Sequence, residues 1–73
     1  MKIDSAKLRA MRRKKKLSQM HLAELCESSD RYIRDLELGV KENPSAALLY
    51  LLSRVLETPM EALMIETNEE EEE

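Results

Sequence analysis

A single cysteine, Cys26, stands in the 73-residue chain, so no intramolecular disulfide can staple it. One histidine and one cysteine are too few for a structural zinc site. No apolar run is long enough to span a bilayer. No charged segment leads into an apolar core and cleavage site, so no secretory signal is expected, and a reduced, cytoplasmic setting fits best. Alternating strand patterns are missing too. Glycine occurs once, at Gly39, and proline only at Pro44 and Pro59, which leaves the stretches between them free to form short helices. At 73 residues the chain makes one small domain, near the lower size at which a core alone supports folding.

Charge is plentiful and unevenly spread. Residues 1–41 hold eleven Lys and Arg against six Asp and Glu, whereas residues 42–73 hold one Arg against nine Glu. A basic front suits a polyanionic partner and an acidic back suits a solvating tail, although a plain soluble surface of two polarities has the same composition.

Five helices are expected. Asp4 caps the first, with Ile3 and Leu8 at the staple positions around it, Leu8 and Met11 facing inward, and the basic run Arg12 to Lys16 at its end, where cations suit the dipole. Ser18 starts the second; Leu17 and Leu22 repeat the staple, and Leu22, Leu25 and Cys26 give a buried stripe with Ala23 beside it. Ser29 starts the third, Ile33 and Leu36 anchor it, and Gly39 supplies a left-handed stop. The fourth runs from Ser45 through "AALLYLLSRVL". The fifth starts at Thr58, with Pro59 at its first position and Glu61 closing a capping box, and ends near Ile65. This makes an all-α domain over residues 1–66, followed by an acidic tail, residues 67–73, read as disordered.

"SQMHLAELCESSDRYIRDLEL" has the spacing of a helix-turn-helix: two short helices, a tight link, a small residue (Ala23) at the crossing, and Leu22, Cys26, Ile33 and Leu36 filling the angle. With the flanking residues, "LRAMRRKKKLSQMHLAELC", "RYIRDLELG" and the "PS" that opens the fourth helix, the chain resembles the lambda-repressor-like, Cro-type (XRE) regulators over roughly residues 3 to 65. The resemblance implies a five-helix DNA-binding domain whose third helix, residues 29–38, enters the major groove. It implies that Gln19 bonds a phosphate or braces the third helix, that Asp30, Arg31 and Asp35 face base edges with Arg34 beside them, and that Arg12 and Glu37 pair. Ser29 and Lys41 are counted with the DNA-binding residues, as are Lys14 and Lys15, which together with Arg13 and Lys16 are candidate phosphate contacts.

Departures from the family pattern are also visible. Glu27 and Ser28 replace the usual glycine and apolar residue in the helix 2–3 link, Lys16 replaces the usual glycine after helix 1, and the link from Gly39 to Pro44 is one residue longer than the common form. An aspartate in the groove repels phosphate; Asp30 and Asp35 are expected to select a cytosine amino group or to orient Arg31 and Arg34. The blander reading of those charges is local pairing on a solvated face, such as Arg31 with Asp35. On the fourth helix a second apolar stripe, Leu48, Leu51 and Val55, points to a homodimer on a palindromic operator. Cys26 has no base partner, and no enzyme activity, cofactor, metal, membrane or small-molecule substrate is expected. The rival reading is a protein-interaction module of the same fold, of antitoxin or anti-regulator type, favoured by the acidic residues of helix 3 and the net charge of −3.

Overall fold

The computed structural model describes residues 2–65, so the tail expected over residues 67–73 lies outside it. Five helices follow a two-residue strand: β1 (Lys2–Ile3), α1 (Ser5–Lys14), α2 (Gln19–Leu25), α3 (Asp30–Leu38), α4 (Ala46–Leu56) and α5 (Met60–Leu63), with β2 (Met64–Ile65) last. Four starts are as expected: the side chains of Asp4, Ser18, Ser29 and Ser45 accept from the backbone N–H of Lys7, His21, Tyr32 and Leu48 at 3.1, 2.9, 3.1 and 3.1 Å.

The fifth start is not. Thr58 does not cap α5; its buried hydroxyl donates to the Leu56 carbonyl at 3.0 Å, and Pro59 precedes the helix without any side-chain cap. The chain is still completing the end of α4 at Thr58, whose N–H donates to the Ser53 carbonyl at 3.1 Å. The helix also stops at Leu63, short of Ile65. Met64 and Ile65 instead pair antiparallel with Ile3 and Lys2, an element too short to show any alternation in the sequence. The pair closes the fold: the N–H of Asp4 donates to the Leu63 carbonyl and that of Ile3 to the Glu42 carbonyl, both at 2.8 Å.

Helices α1 to α4 share one terminator. Each ends with a left-handed residue, Lys16 (φ 60°), Glu27 (φ 57°), Gly39 (φ 83°) and Glu57 (φ 52°). The residue after each donates back to a carbonyl five positions earlier, as in Leu17 to Arg12 and Ser28 to Ala23. Only one of the four is glycine, so three bear the Cβ penalty of roughly 1 kcal/mol. At Gly39 the backbone angle is the whole requirement, since an added Cβ would meet nothing nearer than the Ser5 hydroxyl at 4.0 Å.

The core is aliphatic. Ile3, Leu8, Leu22, Ile33, Leu36, Leu52 and Leu63 are fully buried, and α2 packs on α3 through Leu22, Ala23, Cys26, Ile33 and Leu36. Leu25 is not part of it: 46% of its surface is exposed. The helical step places it about 160° from Ala23, off the Leu22–Ala23–Cys26 face. The second stripe of α4 is also largely absorbed. Leu48 is buried, and Leu51 and Val55 are half-buried against the core, because α4 is flanked by both α2 and α5.

Candidate nucleic-acid interface

Three helices converge on Glu37. Arg12, in the last turn of α1, donates from Nε to Glu37 Oε2 at 2.6 Å and from Nη2 to Oε1 at 2.9 Å. Its third nitrogen, Nη1, donates to the Leu17 carbonyl at 2.8 Å, which fixes the α1–α2 turn. Gln19, the first residue of α2, donates from Nε2 to Glu37 Oε1 at 3.0 Å. The expected ion pair is therefore present, and Gln19 takes the bracing role. Both charges are buried, Arg12 with 8% and Glu37 with 4% of its surface exposed, and among the described residues no buried side-chain polar atom lacks a partner. Burial alone would raise the Glu37 carboxyl; the hydrogen bonds from Arg12 and Gln19 and the charges of Arg12 and Arg9 overcome that and hold it below the usual carboxylate value. The hydrogen bond to Glu37, working against burial, likewise raises the Arg12 guanidinium.

This lock fixes which way α3 faces. Ile33, Leu36 and Glu37 point inward, leaving Asp30, Arg31, Arg34 and Leu38 exposed along one stripe. Arg31 approaches Asp35 only at Nε–Oδ2 3.9 Å, and its side chain is 77% exposed, whereas that of Asp35 is 17% exposed. A pair so long and so wet contributes a few tenths of a kcal/mol at most, so it leaves the arginine available. Asp35 is the least accessible of the expected base-facing residues. Its carbonyl holds the α3–α4 loop by accepting from the N–H of Val40 and of Lys41, at 2.9 and 3.1 Å. Lys41 is exposed on that loop, and Ser29 is occupied as the α3 cap.

The expected phosphate contacts divide. Lys14 and Lys15 line a groove with Met11, Leu56, Glu57 and Thr58, and Lys15 Nζ meets Glu57 Oε1 at 2.7 Å. Both therefore stand beside the α4–α5 turn, apart from the Arg12–Glu37–Gln19 junction. Two exposed residues went unread in the sequence. Leu38 closes the outward stripe of α3 with 65% exposure, which its four-residue spacing from Arg34 would have signalled. Arg9, three residues before Arg12, is exposed and lies near enough to act on Glu37. Cys26 is buried, and desolvation pushes its thiol up to about 11, so it stays protonated and inert at neutral pH.

The helix-turn-helix family profile matches residues 8–63. The chain belongs to the lambda-repressor-like, XRE-type helix-turn-helix family. Solved members similar to it include the P22 c2 repressor bound to a synthetic operator, 27% identical with a TM-score of 0.78 over 82% of this chain and 89% of that one. The restriction-modification controller protein C.AhdI from Aeromonas hydrophila is 30% identical, with a TM-score of 0.74 over 82% and 89%. The N-terminal DNA-binding domain of SinR from Bacillus subtilis is 28% identical, with a TM-score of 0.78 over 89% and 94%. No curated protein sequence matches the chain. In this helix-turn-helix domain the two links where the sequence resemblance leads one to expect glycine hold Lys16 and Glu27, and both take the left-handed backbone.

Proposed function

We propose that the protein is a sequence-specific DNA-binding transcription regulator whose α3 enters the major groove. The observation that carries this reading is the exposed stripe of Arg31 and Arg34 on a helix whose rotation is locked at Glu37 by Arg12 and Gln19. An arginine in the first turn of such a helix can bond guanine bidentately, worth about 1–3 kcal/mol of discrimination. The similar structures include a repressor bound to operator DNA and SinR bound to DNA, and this chain shares their fold. Action as a homodimer on a two-fold operator belongs to the same proposal. Its α4 face would be narrower than the full stripe, because Leu48 is in the core and only Leu51 and Val55 remain partly open. Sedimentation of the unmodified protein at high micromolar concentration tests this, a monomer there counting against the dimer.

The test of sequence reading is Arg31→Ala, measured on a duplex selected by the protein and on a scrambled duplex, each at two salt concentrations. Expected is a loss of about tenfold or more on the selected duplex and little on the scrambled one. Equal losses on both would rule out base reading by Arg31.

A second reading has one observation in its favour. Leu38 and Val40 expose 65% and 66% of their surfaces at the exit of α3, which suits a protein partner better than a phosphate. A protein with no preference among duplexes and no salt dependence would turn the assignment toward that module.

A further inference from the structure

The cations of this domain differ in what they touch. Three are engaged outside the Glu37 junction: Lys15 with Glu57 at 2.7 Å, Lys2 with Glu42 at 3.7 Å, and Arg54 on Tyr50, stacked 5.7 Å from the ring centroid and bonded to its hydroxyl at 2.8 Å. Arg9, Arg13 and Lys16 are exposed, and none has a carboxylate within ion-pair distance among the described residues.

Helix geometry says where these three stand. Arg12 marks the side of α1 that faces Glu37. The helical step of about 100° places Arg9 roughly 60° and Arg13 roughly 100° from it around the axis, on the same side. Lys7 and Lys14 fall about 140° and 160° away, toward the opposite side. The field of Arg9 reaches the Glu37 carboxylate, which agrees with this placement. Lys16 follows just beyond the helix end, its N–H donating to the Arg13 carbonyl at 2.9 Å in the turn leading to Ser18 and Gln19. It does so in a left-handed conformation that glycine would adopt more cheaply. Arg9 to Arg13 spans about 6 Å along the axis, with Lys16 beyond the helix end, and phosphates of one DNA strand recur about every 3.4 Å of duplex. The ridge is therefore long enough to meet two of them.

We propose that Arg9 and Arg13, continued by Lys16, form a phosphate-binding ridge on α1 that clamps the backbone flanking the groove entered by α3. The inference rests on the DNA-binding reading and assigns the backbone contacts to the Arg12 side of α1 rather than to Lys14 and Lys15. Such a ridge positions the domain on any duplex and carries no sequence information.

The test is the salt dependence of binding to a selected and a scrambled duplex. Losing two phosphate contacts reduces the slope of log affinity against log salt by about two. Arg9→Gln/Arg13→Gln should lower the slope by that amount on both duplexes, and its deficit against the unmodified protein should shrink about tenfold between about 50 and about 200 mM salt. Lys7→Gln/Lys14→Gln removes the same charge from the other side and should leave the slope nearly unchanged. Lys16→Gly should lower the slope by about one while raising the thermal midpoint, two readouts that loss of folding could not produce together. Equal slopes in the two double variants, or an unchanged slope in Arg9→Gln/Arg13→Gln, would overturn the ridge while leaving α3 in place. No binding of either duplex by the unmodified protein would overturn the functional reading and the ridge with it.

Discussion

Replacing Glu37 by Gln keeps the shape of the side chain and removes its charge, leaving the Arg12 guanidinium buried without a counter-ion. Breaking a buried pair in this way costs about 3–5 kcal/mol, much of the stability available to a domain of this size. Chemical denaturation at neutral pH should show a loss in that range, with a smaller loss for Gln19→Ala, which removes one hydrogen bond and neither charge. The pH dependence has a definite sign. Because Glu37 titrates lower in the folded protein than in the unfolded chain, its stabilisation is complete above the ordinary carboxylate range. It is lost as pH falls through the depressed folded value, so the unmodified protein should weaken on acidification more steeply than Glu37→Gln. A parallel fall in both proteins would assign the acid limb to other carboxylates. The Arg12–Glu37 pair was legible in the sequence through the family pattern; the share of Arg9 was not, because it depends on how α1 is rotated against α3.

At the level of elements, the legible parts were those decided locally. Asp4, Ser18, Ser29 and Ser45 each bond a backbone N–H three residues ahead, a choice that neighbouring residues alone settle. Thr58 carries the same signature, yet its hydroxyl turns back to α4, because Thr58 is also the residue completing that helix's terminator. The β1–β2 pair escaped for the opposite reason: it is a long-range contact between two dipeptides with no pattern of their own. Leu25 was misread because a seven-residue helix has too few positions to define its buried face by spacing alone. The three non-glycine terminators, Lys16, Glu27 and Glu57, leave room for stabilisation. Glu27→Gly should stabilise the domain by about 0.5–1 kcal/mol, and Gly39→Ala should destabilise it by about 1 kcal/mol. Thermal melts of the two variants read this directly, and a loss on Glu27→Gly would mean that its side chain, not its backbone, matters at that turn.

Over the whole molecule the two polarities have different addresses. Arg31 and Arg34 stand exposed on α3, while the carboxylates of Glu42 and Glu57 pair with Lys2 and Lys15. The acidic stretch that ends the sequence follows β2, whose Ile65 sits opposite Lys2. Deleting Asn68 to Glu73 should leave the melting temperature unchanged and tighten DNA binding at low salt, where like-charge repulsion is least screened. Lost folding would show instead that those residues pack.

The pairing of Lys2 with Ile65 also has a consequence for biosynthesis. Ile3 is buried, its N–H is tied to Glu42, and its strand partner, Met64, is among the last described residues to be made. A ribosome translating this segment therefore holds β1 unpartnered while residues 4–63 are made. Closure comes only after Met64 and Ile65 have left the exit tunnel. With a linker appended after Glu73, nascent chains stalled before Met64 clears that tunnel should be cut by protease near Ile3, and those stalled well beyond it should resist.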